Sequence, residues 1–222
     1  MEPDFWHGLW SKGHIGFHQH DFNKHMQHFV SGLNVRSGGH IFVPLCGKSR
    51  DMNWLAEQGY RVSGVEINAG AVEAFFEENE LTFQTTLVDS FALYTSGSIR
   101  IYCGDFFDIG SSHIPDIDAV YDRASLIALP PGMRTRYVDH LNSLLRPGTR
   151  SLLVTLDYPQ QQMSGPPFSV TPTEVKTLYA SRYDIESIHS EDCLADEPMF
   201  VKKGLTRLDE HVFLLGKKPV IV

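Results

Sequence analysis

Glu66 and Gly47 are the first residues in this chain whose types and spacing could do chemistry. Glu66 closes an apolar run over residues 62–67 and lies 19 residues after Gly47, within the turn Val43-Pro44-Leu45-Cys46-Gly47-Lys48-Ser49. A glycine in a tight turn admits backbone conformations closed to other residues and lets a ligand come close. A carboxylate about 20 residues further on can accept hydrogen bonds from both hydroxyls of a ribose. The turn alone is weak evidence. It lacks the full GxGxxG, its Gly47-Lys48-Ser49 has no upstream P-loop glycine, and many glycine turns are only structural.

Other candidates follow the same logic. Asp105, after Tyr102-Cys103-Gly104, can hydrogen-bond an exocyclic amine, and Phe106 can flank an adenine ring; the alternative is a turn aspartate followed by core aromatics. Arg123, in Tyr121-Asp122-Arg123-Ala124, carries a permanent charge and a donor fork suited to an anion. Its alternative is an ordinary ion pair with Asp122 or another surface acid. Trp6, Trp10 and Phe17 cluster around Gly13 and Gly16, and aromatic faces attract cations, a sulfonium included; the alternative is a hydrophobic flap on the core. Histidines at 7, 14, 18, 20, 25 and 28 invite a metal. No carboxylate or cysteine spacing supports one, so no metal ligand is assigned.

These residues need elements to hold them. Phe22, Met26, Phe29 and Val30 mark a helix over residues 21–31. A strand over 41–43 is followed by a helix over 51–58 that Gly59 ends as a left-handed cap. A second strand over 62–67 precedes a helix capped by Asn68 and burying Val72, Phe75 and Phe76. Residues 98–102, 118–121, 151–156, 183–188 and 211–215 read as further strands. Tyr137, Leu141, Leu144 and Leu145 mark a helix stopped by Pro147-Gly148, and Thr171-Pro172-Thr173-Glu174 is a capping box. Strand–helix alternation of this kind predicts an α/β, doubly wound, mostly parallel sheet that binds ligands at the carboxyl ends of its strands.

Composition narrows the class. With 222 residues, 42% hydrophobic and 21% charged, the chain fits one compact domain over residues 1–222, with residues 1–32 as an N-terminal helical and aromatic flap. A net charge of -8 opposes nonspecific nucleic-acid binding. Three widely spaced cysteines without a CxxC predict reduced thiols and a cytoplasmic setting. No signal peptide or membrane span is expected.

The ordered segments Phe5–Trp10, Gly16–Gln19, Phe42–Lys48, Gly64–Ile67, Tyr121–Pro131 and Gly165–Phe168 resemble the thiopurine S-methyltransferase family, in particular its bacterial members. The resemblance implies a class I methyltransferase sheet of seven strands with the last antiparallel, and S-adenosylmethionine as cofactor. It implies a small-molecule thiol or chalcogen substrate and a monomer. It places Trp10, Leu45, Glu66 and Arg123 in the cofactor-contacting set, with Gly47 in the turn, Asp105 and Phe106 at adenine, and Phe17 on the substrate side. One departure is that Met199 stands where some members have a substrate-facing arginine, with Lys202 and Lys203 nearby.

Methyl transfer from a sulfonium is an in-line displacement that asks the protein for alignment, desolvation and charge stabilisation. Arg123 is expected to hold the anionic acceptor, Trp10 and Phe17 to close the pocket, and Asp21 or a histidine to take any proton released. Two other readings stay open on the residues alone. One is a nicotinamide-dependent oxidoreductase using the same turn and Glu66. The other is a non-enzymatic binder of metal or metalloid oxyanions using the histidine-rich start.

Overall fold

A computed structural model describes residues 3–11 and 21–219. By internal contacts the chain divides into two compact units, residues 1–121 and 122–222.

The first unit opens with α1 (Pro3–Ser11) and α2 (Lys24–Phe29), the latter continued by a 3-10 turn over Val30–Leu33. The expected helix over 21–31 thus starts later, after its N-cap Asn23, and gives way to a 3-10 turn at Val30. The Asn23 side chain accepts from the N–H groups of His25 and Met26. Then come β1 (His40–Val43), α3 (Asp51–Glu57), β2 (Arg61–Glu66) and α4 (Ala69–Glu78). Gly59 ends α3 at φ 88°, and Tyr60 N–H reaches back to Leu55 O at 3.2 Å, as a left-handed cap requires. Asn68 caps α4 by accepting from Ala71 N–H at 3.0 Å.

After α4 the chain forms β3 (Gln84–Val88), β4 (Phe91–Ser96), β5 (Ile99–Cys103) and β6 (Ala119–Arg123). The strand order in this unit is β3-β4-β5-β2-β1-β6. β1 is parallel to β2 and β6, and β2 is parallel to β5. The strand order reverses at β1, with β2 on one side and β6 on the other, and in such sheets this reversal opens the ligand crevice. β3 and β4 form an antiparallel hairpin on β5 that the sequence reading did not include. They bring the strands among the described residues to nine, two more than the seven the resemblance implied.

The second unit contains α5 (Pro131–Leu144), β7 (Arg150–Asp157), α6 (Pro172–Tyr179), β8 (Tyr183–Asp192), α7 (Pro198–Lys202) and β9 (Asp209–Lys217). β9 lies between β7 and β8 and is antiparallel to both, as expected for the last strand. α5 buries Tyr137, Val138, Leu141 and Leu144. At α6, Thr171 accepts from Glu174 N–H at 3.2 Å, while the Glu174 carboxylate accepts from buried Arg134 at 2.6 Å. Arg134 also donates to Leu129 O at 2.9 Å and lies over the Phe168 ring. It thereby ties the loop after β6 and the Gly165–Phe168 segment to α6. Among the described residues no helix is long and apolar enough to cross a membrane.

Candidate functional site

Glu66 is the last residue of β2 and only 5% exposed. Its Oε2 accepts from Gly47 N–H at 3.0 Å and its Oε1 from Asn68 N–H at 2.8 Å. Burial pushes the carboxyl up to about 7, against the pull of the backbone donors at Asn68, Gly47 and Ile67. A carboxylate offers about four acceptor positions, and these backbone donors do not fill them all.

The turn after β1 is shaped to meet this acid. Leu45 and Gly47 both take left-handed backbone angles, φ 44° and 54°. Cys46 N–H donates to Val65 O at 2.9 Å, laying the turn against the end of β2. That close approach requires Gly64, where a Cβ would stand 2.6 Å from Cys46 Sγ and 3.1 Å from Met52 Sδ. Burial raises the Cys46 thiol well above its ordinary value, so it packs as an inert side chain. The end of β5 joins the same lattice, since Gly104 N–H donates to Glu66 O at 2.9 Å.

α1 lies beside this turn. The indole of Trp10 comes within 3.4 Å of where a Gly47 Cβ would project, and His7 Nδ1 is 3.0 Å from Asn68 Nδ2. A cleft of about 390 Å³ is lined by His7, Trp10, Lys48 and Asn68 together with Gly70, Ala71 and Ala74 of α4. Lys48 is held by an ion pair with Glu78.

Asp105 follows β5 and caps a 3-10 turn, its Oδ1 accepting from Phe107 N–H at 2.8 Å. Phe106 is 2% exposed, with its ring stacked near Phe42 at 6.5 Å between centroids. The structure therefore gathers Trp10, Leu45, Gly47, Glu66 and Asp105–Phe106 at or beside the carboxyl ends of β1, β2 and β5.

Arg123 stands at the carboxyl end of β6, half-buried, before Ala124 at φ 64°. A left-handed alanine is strained backbone of the sort that persists at functional sites. Neighbouring strand residues face opposite ways, and Asp122 is buried, accepting from Tyr137 O–H at 2.7 Å and Leu126 N–H at 3.2 Å. Burial raises Asp122 to about 6. Asp21 is exposed ahead of α2, and Met199, Lys202 and Lys203 are exposed at α7. Phe17, with Gly13 and Gly16 of the flap reading, lies outside the described residues.

Sequence reasoning missed a second layer of residues. Asp51, at the start of α3, accepts from Asn23 N–H at 2.8 Å and from Tyr121 O–H at 2.9 Å, tying α2, α3 and β6 together. No local pattern marks it. The small residues of α4 were legible in Ala69-Gly70-Ala71 and Ala74, but their lining role was not.

Parallel strands with a glycine turn after β1 and a buried acid ending β2 are shared by nucleotide-binding α/β folds, the S-adenosylmethionine-dependent methyltransferases among them. Solved structures agree. The 1,6-didemethyltoxoflavin-N1-methyltransferase of Burkholderia thailandensis, with S-adenosylhomocysteine bound, superposes with a TM-score of 0.65 over 98% of this chain and 87% of that one, at 15% identity. A Methanosarcina mazei S-adenosylmethionine-dependent methyltransferase gives 0.62 over 89% and 99%, at 16% identity. The model of the thiopurine S-methyltransferase family matches residues 1–218. Proteins named thiopurine S-methyltransferase from Pseudomonas fluorescens SBW25 and Nitrosospira multiformis are each 47% identical, over 97% of this chain and 99% and 98% of theirs. The chain belongs to the thiopurine S-methyltransferase family. It is a methyltransferase enzyme with S-adenosylmethionine as methyl donor, which decides against the oxidoreductase and non-enzymatic readings.

Proposed function

We propose that the protein methylates the sulfur of a small heteroaromatic thiol such as a thiopurine, with selenium and tellurium compounds as further acceptors. The observation that carries this reading is 47% identity, over nearly the full length, to bacterial relatives named for thiopurine methylation. The match over residues 1–218 supports treating the chain as one catalytic domain. In the cytoplasm such an activity would serve detoxification of xenobiotics or metalloids.

The residues present fit the cofactor. A buried carboxylate with open acceptor positions, beside two left-handed turn residues, suits a ribose pressed against backbone. When bound, S-adenosylmethionine supplies a methyl group already activated on a sulfonium. Glu66 accepts from the ribose hydroxyls, and Leu45 and Gly47 present main chain. Asp105 reads the adenine amine. With the Phe106 ring committed to Phe42, adenine meets that residue chiefly through its main chain. Trp10 covers the turn and offers its π face to the cation. Arg123 holds the negative charge of cofactor or acceptor, and Phe17 packs on the acceptor ring. A heteroaromatic thiol is partly ionised near neutrality, so Asp21 has at most a proton to accept.

The test is turnover of methyl-labelled S-adenosylmethionine against a panel of thiols, selenols and chalcogen oxyanions. Methylation of 6-mercaptopurine above the rate for aliphatic thiols supports the reading. Transfer only to oxygen or nitrogen acceptors overturns it.

A further inference from the structure

We propose that Asp157, Asp209 and His211 bind one divalent transition-metal cation of the zinc type. The sheet register builds it. β7 ends at Asp157 and β9 begins at Asp209, and in the antiparallel pairing Asp157 is opposite Asp209 while Thr155 is opposite His211. Side chains two residues apart on a strand share a face, so these four project together. One donor atom from each of Asp157, Asp209 and His211 lies within 4.8 Å of the others. Metal–ligand bonds of about 2.0–2.2 Å place donors about 3.5 Å apart, a contraction that side-chain rotation supplies.

Two buried polar atoms on this face have no hydrogen-bond partner. His211 is 9% exposed, and its Nε2 is shielded from solvent and unbonded. The nearby carboxylate oxygen, Asp157 Oδ2, is 3.8 Å away, too far for a hydrogen bond. Thr155 Oγ1 is likewise buried without a partner. A buried, unbonded imidazole nitrogen on a histidine grouped with two acids is an arrangement a cation completes.

Arg207 donates to Asp157 Oδ1 at 2.8 Å and also pairs with Asp209 Oδ2. It orients both carboxylates, and two carboxylates with one guanidinium leave a net negative charge. One imidazole nitrogen and two carboxylate oxygens suit a borderline metal better than calcium or magnesium, which take all-oxygen sets.

The experiment uses the tag-free full chain after chelator treatment, titrated with Co²⁺ followed by visible absorption and with Zn²⁺ by calorimetry. The expected result is one Co²⁺ per chain with ligand-field bands that Zn²⁺ displaces. His211→Gln and Asp209→Asn should each weaken binding at least tenfold with unchanged circular dichroism. Absence of the bands, or equal binding by both variants, overturns the proposal, the latter by assigning the metal to other histidines. These readouts are independent of methyl transfer, so the site and the proposed activity stand or fall separately.

Discussion

Glu66 is a buried acid that the proposed function places at the cofactor ribose. Removing its carboxylate in Glu66→Ala should weaken S-adenosylmethionine binding by about 1.5–3 kcal/mol, the typical worth of hydrogen bonds to a charged group. Calorimetry measures it, and an unchanged affinity in a folded variant would place Glu66 outside the cofactor site. The raised carboxyl adds a pH signature. The ionised form is the better acceptor, so affinity for S-adenosylhomocysteine should rise as pH increases through about 7. Glu66→Gln should flatten that profile. Stability without ligand runs the other way. A pKa raised from 4.5 to about 7 on folding contributes stability that is complete below 4.5 and lost as pH rises through 7. Asp122, raised from 3.8 to about 6, acts with the same sign at lower pH. His40 opposes both: burial lowers it below 6.5, so its contribution is complete above that pH and lost as pH falls. Thermal melts of ligand-free Glu66→Gln should therefore show a smaller loss of stability than wild type between pH 4.5 and 7.

At the scale of elements, the glycine turn works because β2 gives it room. A methyl at Gly64 would stand 2.6 Å from the Cys46 sulfur. Gly64→Ala should cost about 1–3 kcal/mol, as over-packing does, and should loosen cofactor binding by shifting the turn. Adding Cys46→Ala removes the sulfur and should restore part of the stability in chemical denaturation. No recovery would mean that the backbone of β2, rather than the Cys46 contact, carries the strain. The β3–β4 hairpin shows where periodicity failed. Residues 84–87 are exposed on both faces, so no inside–outside alternation marks them, although Asp89 at φ 52° makes a two-residue turn between the two strands. The Asn23 cap lies two residues inside the helix expected over 21–31, where no apolar spacing marks the start.

For the molecule as a whole, methyl transfer is expected to need no metal, because a sulfonium is already activated. Exhaustive dialysis against a chelator should leave turnover unchanged, even if it empties a cation site at Asp157, Asp209 and His211. A loss of activity that zinc restores would make the metal part of the reaction.

Composition, the strand–helix alternation apart from the β3–β4 hairpin, and the pair Gly47 and Glu66 were legible in the sequence alone. Each depends on short-range chemistry: apolar periodicity, a residue that tolerates positive φ, and a carboxylate at a strand end about 20 residues on. Tertiary structure decided what distance in the chain conceals. Asp51 meets Tyr121 across 70 residues, Gly64 makes space for Cys46, and Asp157 comes to face Asp209 and His211 through strand register. It also turned Phe106 into the core and committed Glu174 to Arg134. Burial and register belong to the folded chain, because a side chain's partners are chosen by which strands pair and which faces close. Local sequence limits that choice but does not make it.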